Sequence, residues 1–266
     1  MGYGIQEPNT ELVNWLSAYF SQRTEPNFSL GQTISTYLAL PGLRGFWPSN
    51  GVSDTGQMLD ISGNQLHLTN VNDALIGYES STLIPRAHYN GSTQYHSRSD
   101  SAYFDILGTE AYIEQPGLTF GAWVKFDTTA SAAEMIVSKW LSAANLSYNL
   151  HRRSTGVLRL AVTNDGSTAV NADTADVMAS NTQYFVCGRF TPSTELMVQI
   201  DDTRVLNTTS IPASIFSGTS TFRLAADGSG SNFMDGKISM SFLCASALSD
   251  AIIDNLYMQS RGLFGV

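Results

Sequence analysis

A nine-residue stretch, Leu118 to Phe126, constrains the fold more than any other part of the chain. Apolar residues occupy every second position, at 118, 120, 122, 124 and 126. Strict alternation over this length is typical of a β-strand. Trp123 lies on the other, otherwise polar side, which indicates that neither face of the strand meets solvent. We therefore predict a central strand in a sandwich of two sheets.

Length and charge exclude several classes of protein. The 266 residues suffice for one large β-domain or for a domain with an appendage. With a net charge of −9 the chain lacks the basic surface that nucleic acid requires, so we expect no nucleic-acid partner. No apolar run reaches the roughly 18 residues of a membrane-spanning helix, so we expect no membrane span. The first residues lack the basic and apolar regions of a secretory signal, so we expect no signal peptide.

The N-terminal residues 1–42 carry helical patterns that differ from the strand patterns after them. A helix can begin near Thr10, and its apolar stripe comprises Leu12, Trp15, Leu16, Tyr19 and Phe20. A second helical pattern, with Ile34 and Tyr37, ends before Gly42. These helices either pack on the sandwich and complete its core, or form an attachment and oligomerisation segment. We predict the second arrangement, with a helical segment at 1–42 and a domain at 43–266.

An ordered set of motifs accompanies the central strand. The set includes Gly45-Phe-Trp-Pro48, Asp60-Ile-Ser-Gly-Asn64, Tyr89-Asn-Gly-Ser-Thr-Gln-Tyr95, Ile136-Val-Ser-Lys139, Leu196-Met-Val-Gln-Ile-Asp201, Phe233-Met-Asp-Gly-Lys-Ile238 and Ala247-Leu-Ser-Asp250. Together these motifs and the central strand resemble laminin G-like domains, relatives of the concanavalin A-like lectins and glucanases, over residues 43 to 258. The resemblance implies an all-β jelly-roll sandwich of two antiparallel sheets, to which the sequence adds a short N-terminal helical appendage and a C-terminal helix after Ser249.

Catalysis is not expected from the acidic residues of this chain. The glucanases that the chain resembles carry E-x-D-x-x-E on one strand, where two carboxylates act as nucleophile and general acid. No such array occurs here, and Asp173 and Asp176 lie in a polar stretch that we predict to be a loop. We therefore predict a non-enzyme. The alternative is a glycan-acting hydrolase or its carbohydrate-binding accessory module.

The resemblance also implies a metal site, since domains of this family often hold Ca²⁺ with loop carboxylates and carbonyls. Asp60 and Asp235 match family positions and are the predicted calcium ligands. The family's later Asp-Glu pair is replaced by Ser239 and Met240, which removes two ligands. In the alternative interpretation, Asp60 and Asp235 only form turns beside glycines.

Aromatic and polar residues after the Ile136 strand are the predicted ligand-binding residues. They could bind a glycan because aromatic rings stack on sugar CH groups, while amide and guanidinium groups bind hydroxyls. The alternative is that they pack in the core or at its rim. The predicted ligand-binding set is Trp140, Tyr148, His151 and Arg153.

The two cysteines, Cys187 and Cys244, form either one disulfide or two buried thiols.

Together these observations predict a non-catalytic surface module of a larger assembly. Domains of the resembled family occur mostly outside cells, whereas we expect no signal peptide in this chain. A phage virion protein, such as a capsid decoration, head fibre or tail component, is consistent with both observations, because virion proteins reach the outside by assembly and cell lysis. We expect it at the virion surface, with extracellular secretion as the alternative. The expected partners are a glycan or host surface protein, and other virion subunits bound through residues 1–42 in a homo-oligomer.

Overall fold

The computed structural model describes residues 30–49, 56–78, 84–110, 115–142 and 144–266. The helix predicted near residues 10–20 lies outside these residues. Within them, the helices are α1 (Leu30–Leu38), α2 (Asp250–Ser260) and a 3₁₀ helix (Arg261–Leu263). The strands are β1 (Leu43–Trp47), β2 (Thr69–Val71), β3 (Leu75–Tyr78), β4 (Pro85–Asn90), β5 (Tyr95–Arg98), β6 (Leu118–Phe126), β7 (Glu134–Trp140), β8 (Leu146–Arg152), β9 (Val157–Val162), β10 (Val170–Val177), β11 (Gln183–Thr191), β12 (Glu195–Ile200), β13 (Thr203–Asn207), β14 (Phe222–Leu224) and β15 (Asp235–Cys244).

The strands form two antiparallel sheets. The eight-stranded sheet A has the order β13-β12-β11-β6-β15-β4-β3, and β1 also pairs with β15. The seven-stranded sheet B has the order β10-β9-β8-β7-β14-β5-β2. Strands that are distant in sequence are neighbours in both sheets, as in a jelly roll, where the chain crosses between layers. The predicted two-sheet sandwich is confirmed.

The strand β6 lies in the middle of sheet A, between β11 and β15. Its alternating apolar side chains fill the core between the two sheets. Trp123 points the other way and is also fully buried, against Phe185 and Phe264. Its indole Nε1–H donates to Ser260 Oγ at 2.8 Å, which satisfies the one polar atom of the ring. The predicted central strand, with apolar groups on both faces, is therefore confirmed.

A layer of helices covers the outer side of sheet A. Tyr37 of α1 and Leu256 of α2 are fully buried in a second core. Thr33 Oγ1 donates to the carbonyl of Gln259 at 3.0 Å and joins the two helices. Residues 30–42 thus pack on the sandwich, as in the first interpretation of the N-terminal segment. The boundary predicted between residues 42 and 43 cuts through this packed layer.

The two cysteines are free thiols buried in the second core. Cys187 on β11 pairs in register with Gly121, and Cys244 on β15 pairs with Thr119. Strand β6 therefore lies between them. Two strand spacings amount to about 9–10 Å, which exceeds the Cα separation of a disulfide. Of the two alternatives, the structure has the pair of buried thiols.

Candidate functional site

Sheet B has one face in the core and a second face that carries polar side chains. Ile136, Leu150 and Leu160 are buried in the core shared with sheet A. Side chains alternate along a strand, so Asn149 and His151 project from β8 to the opposite face. We call this opposite face the outer face of sheet B.

Strand register aligns the residues of the outer face of sheet B into two rows. Directly paired residues of antiparallel strands lie on the same side of a sheet, close enough to interact. The first row comprises Met135, His151, Arg159 and Asp173. The second row comprises Ser97, Arg223, Ser138, Asn149, Ala161 and Asn171.

Two arginines on the outer face of sheet B share one carboxylate. Arg159 Nε and Nη2 lie 2.6 and 2.7 Å from the two oxygens of Asp173, and Arg153 Nη1 lies 3.2 Å from its Oδ2. The hydrogen bond from Arg159 holds the pKa of Asp173 below its usual value, so Asp173 stays ionised. The trio carries one net positive charge, in a protein whose formal net charge is −9.

His151 adds a neutral ring beside these charges. Burial, and to a smaller extent the positive charge of Arg159, lower the pKa of His151 to about 4, so the imidazole is uncharged at neutral pH. Its Nδ1 lies 2.8 Å from Asn149 Oδ1. With that oxygen accepting, Nδ1 carries the proton and Nε2 keeps a lone pair. We call Asn149, His151, Arg153, Arg159 and Asp173 the polar cluster, because together they offer donors and an acceptor suited to hydroxyl groups.

The second row contains an unsatisfied hydroxyl next to the polar cluster. Ser138 pairs in register with Asn149 on β8 and with Arg223 on β14. Its side chain is fully buried, and its Oγ has no hydrogen-bond partner among the described residues. Buried hydroxyls usually have a partner, so this one leaves hydrogen-bonding capacity unused beside Asn149.

The structure separates the four predicted ligand-binding residues. His151 and Arg153 lie in the polar cluster. Trp140, at the end of β7, is partly buried. Tyr148 is fully buried and belongs to the core rather than to a ligand surface, with its hydroxyl donating to the carbonyl of Phe104 at 3.0 Å. A ring enclosed in this way has no face free for stacking on a sugar.

The sequence interpretation missed Asn149, Arg159 and Asp173. Asp173 lies in β10, so the predicted loop at this position is wrong. The available signal was a short alternation, in which Ala172 and Thr174 are buried and Asp173 is not. The pairing of β10 with β9 places Asp173 directly opposite Arg159. This contact could not be predicted from the spacing of the two residues in the sequence.

The predicted calcium ligand Asp60 serves a turn. Its Oδ1 accepts from the backbone N–H groups of Phe46 and Ser62, both at 2.9 Å. Its Oδ2 accepts from Leu66 N–H at 2.8 Å and from the Ser62 hydroxyl at 2.9 Å. Four donors already satisfy this carboxylate, which matches the turn-forming alternative.

The second predicted calcium ligand, Asp235, lies far from Asp60. The carboxylate of Asp60 accepts a hydrogen bond from the backbone N–H of Phe46, and Phe46 on β1 pairs with Phe242 on β15. Asp235 lies seven residues before Phe242 on the same strand. At about 3.3 Å per residue the two carboxylates are roughly 20 Å apart. Nor do the described residues bring three or more His, Cys, Asp or Glu side chains into a group suited to a metal. Asp60 and Asp235 therefore do not fit a shared calcium site.

A recess of about 670 Å³ lies elsewhere, beside the start of α2. Its most polar wall is Arg189, whose guanidinium donates to Glu195 at 2.5 Å, Asp250 at 2.6 Å and the Leu248 carbonyl at 2.8 Å. These internal acceptors already engage the arginine. The outer face of sheet B, where the polar cluster retains donors and an acceptor, is the stronger candidate for ligand binding.

A protein-family model described as the concanavalin A-like lectin/glucanases superfamily matches residues 97–254. The match includes most of both sheets and the whole polar cluster. The chain belongs to this superfamily. A search of curated protein sequences found no match. Among the described residues of this superfamily member, no helix has the length and apolar character needed to cross a membrane.

Solved structures with the same fold include three of botulinum neurotoxins. The binding domain of botulinum neurotoxin serotype G is 9% identical, with a TM-score of 0.62 over 81% of this chain and 50% of that one. The binding domain of botulinum neurotoxin DC, solved with rat synaptotagmin II, is 10% identical, with a TM-score of 0.60 over 84% of this chain and 52% of that one.

The third structure is of botulinum neurotoxin type C, whose cell entry is described as dependent on interaction with two ganglioside molecules. It is 9% identical, with a TM-score of 0.60 over 86% of this chain and 53% of that one. This superfamily member thus spans about half the length of the three toxin structures. At these identities the likeness shows the fold alone.

Proposed function

We propose that this protein is a non-catalytic binding module that takes a glycan on the outer face of sheet B. The observation that carries the proposal is the polar cluster, in which the partly exposed Arg153 and Arg159 supply donors and His151 supplies an acceptor. The buried Asn149 holds the His151 ring in place. A sugar offers hydroxyls that both donate and accept, so a mixed set of this kind suits it. The fixed ion pair between Arg159 and Asp173 orients the donors before a ligand arrives.

The state of Asp173 supports binding rather than hydrolysis. A glycosidase needs one carboxyl group that stays protonated long enough to act as general acid. The hydrogen bond from Arg159 lowers the pKa of Asp173 instead, so this carboxylate is an anion at neutral pH. The alternative function as a glycan hydrolase therefore has little support from the polar cluster.

The solved structures with the same fold also support a binding function. Two of the neurotoxin structures are described as binding domains, one of them in complex with rat synaptotagmin II, and the description of the third names two ganglioside molecules. A protein ligand, such as a host surface protein, is the second partner that this fold could serve.

We further propose that the module sits at the surface of a phage virion, as a decoration, head-fibre or tail subunit in a homo-oligomer. The support is the apolar stripe of the N-terminal segment, which includes Trp15 and Tyr19 and needs a partner surface. Because residues 30–42 pack on sheet A, we assign the assembly role to residues 1–29.

A glycan array with matched variants tests the binding proposal. Arg159→Gln removes a cluster arginine, and Arg204→Gln is its control. Arg204 is also paired with carboxylates, and its side chain is 22% exposed against 25% for Arg159, but it lies on sheet A. We expect the wild type and Arg204→Gln to bind the same glycans and Arg159→Gln to lose about tenfold or more in affinity. A wild type that binds no glycan would refute the glycan proposal, and equal losses in both variants would refute the site.

A further inference from the structure

Lys139 on β7 has its ammonium group buried inside the protein. The side chain is 0% exposed. Its strand partner is Tyr148, which points into the core, so the lysine points to the same side. An ammonium that leaves water is costly to bury unless charges and hydrogen bonds replace its hydration.

Oxygen atoms surround the Lys139 ammonium. Nζ lies 2.7 Å from Asp100 Oδ1, 3.2 Å from Asp105 Oδ1 and 3.3 Å from the Ser220 carbonyl oxygen. It also donates to the Gly218 carbonyl. Two carboxylates and two carbonyls from two separate loops therefore meet at one point. We call these four groups the oxygen cage.

The negative charge of the oxygen cage affects the pKa of the neighbouring Tyr148. Burial raises the pKa of Tyr148 well above its usual value, and the charges of Asp105 and Asp100 raise it further. The two carboxylates give the oxygen cage a formal charge of −2, and the Lys139 ammonium inside it reduces the total to −1. A divalent cation in the same position would bring that charge to zero.

We propose that the oxygen cage is a hard-cation site whose resident cation is the Lys139 ammonium, and that the chain binds Ca²⁺ there when the ammonium is removed. Carboxylate and carbonyl oxygens are the ligands that Ca²⁺ selects, at about 2.3–2.6 Å, and water can complete its coordination. The space left by the lysine stem would admit that water. The proposal concerns Asp100 and Asp105, and it is independent of glycan binding.

In this arrangement the Lys139 ammonium links two loops, as a bound metal ion would. It ties the loop carrying Asp100 and Asp105 to the loop carrying Gly218 and Ser220. The second loop is fixed again by Asn145, whose Oδ1 accepts from Thr219 N–H at 2.7 Å. Because the cation is covalently attached, the fold of the wild type should not respond to chelators.

The test compares the wild type with Lys139→Ala and Lys139→Met in chelator and in millimolar Ca²⁺. Lys139→Ala opens the cage, whereas Lys139→Met fills the stem space without a charge. We expect both variants to melt below the wild type in chelator, and only Lys139→Ala to recover with Ca²⁺ through linkage. The wild type should melt identically in both conditions. Terbium luminescence, sensitised by the adjacent Tyr148, should appear only with Lys139→Ala and should vanish in the double variant with Asp100→Asn.

Three results would overturn the proposal. The first is a Lys139→Ala melting temperature that Ca²⁺ does not raise. The second is an equal rise for Lys139→Met, which would place the effect outside the oxygen cage. The third is an equal rise for the wild type. If Lys139→Ala does not fold in chelator, refolding in Ca²⁺ becomes the readout: recovery of the wild-type far-UV spectrum supports the proposal, and failure to refold refutes it.

Discussion

The ring of Tyr37 stacks on the ring of Phe46, with centroids 4.7 Å apart and planes 6° from parallel. The same tyrosine meets Phe242 edge-on at 5.5 Å. Tyr37 lies in α1, whereas Phe46 and Phe242 lie on the paired strands β1 and β15. These contacts make α1 part of the folded body, because they bury aromatic area that sheet A would otherwise expose to water.

Two truncations should therefore behave differently. Deleting residues 1–29 leaves α1 in place, so we expect a folded protein with a nearly unchanged melting temperature. Deleting residues 1–42 uncovers Phe46 and Phe242, so we expect a much lower melting temperature or aggregation. Melting curves together with size exclusion and light scattering measure both effects. Equal stability of the two truncations would show that α1 adds nothing to the fold.

The same pair of constructs tests the assembly proposal. If residues 1–29 hold neighbouring subunits together, their deletion should convert an oligomer into a monomer without unfolding it. A protein that keeps the same mass in solution after this deletion would contradict the role of the segment in assembly.

Trp123 should be far more important for stability than Trp140. Trp123 is fully buried, stacks on Phe264 with centroids 4.4 Å apart and bonds Ser260. We expect Trp123→Ala to lower the free energy of unfolding by about 3–5 kcal/mol. Trp140→Ala, the matched control at a partly buried position, should cost clearly less. Urea unfolding of both variants measures the difference, and equal losses would contradict the packing of α2 and the 3₁₀ helix over Trp123.

The central part of the fold could be predicted because its signal is local. In β6 the alternation of nine residues and the apolar side chain of Trp123 on the second face identify a strand between two layers, and both features are present in the structure. Physical constraints on such a strand are strong, since a shift by one residue would move every side chain to the wrong face.

The binding face could be predicted only in part, because it depends on register. The sequence neighbourhood predicted His151 and Arg153, but the carboxylate that pairs with Arg153, Asp173, is twenty residues beyond it. Tyr148 shows the opposite failure. Its sequence neighbours suggested a surface, yet alternation along β8 turns its ring into the core. Sequence spacing identifies a strand more readily than it decides which face is buried.

Stability should fall as the pH drops from about 6.5 to 4. Burial lowers the pKa of both His96 and His151 from 6.5 to about 4. Over this range the unfolded chain binds protons that the folded chain does not bind, which favours unfolding, and the stability returns above pH 6.5. The fully buried His96 could contribute up to roughly 3 kcal/mol at pH 4.

The variant His96→Gln isolates this contribution. Glutamine can retain a hydrogen bond to Tyr89, whose hydroxyl lies 2.9 Å from His96 Nδ1, but it does not titrate. We expect its free energy of unfolding to change less steeply than that of the wild type between pH 6.5 and 4, whatever its value at pH 7. Urea titrations at four pH values measure the slope. An unchanged slope would show that His96 does not supply the pH dependence.

Asp173→Asn should change which ligands the outer face of sheet B prefers. Asp173 now neutralises one of the two arginines, Arg153 and Arg159. Without that charge the cluster carries two positive charges, so at low ionic strength a carboxylate-bearing glycan should bind more tightly than it does to the wild type. A neutral glycan should bind less tightly, because the arginines lose the partner that orients them.

The cost of Asp173→Asn to folding should be small. The three side chains are 25–38% exposed, so the ion pairs contribute about 1 kcal/mol or less to stability. Calorimetric titration with one acidic and one neutral glycan, each at low and at high salt, measures the preference. The gain for the acidic glycan should disappear at high salt, because screening weakens interactions between exposed charges. If both glycans change affinity by the same factor at every salt concentration, Asp173 does not control charge selectivity and the ligand binds away from the arginine pair.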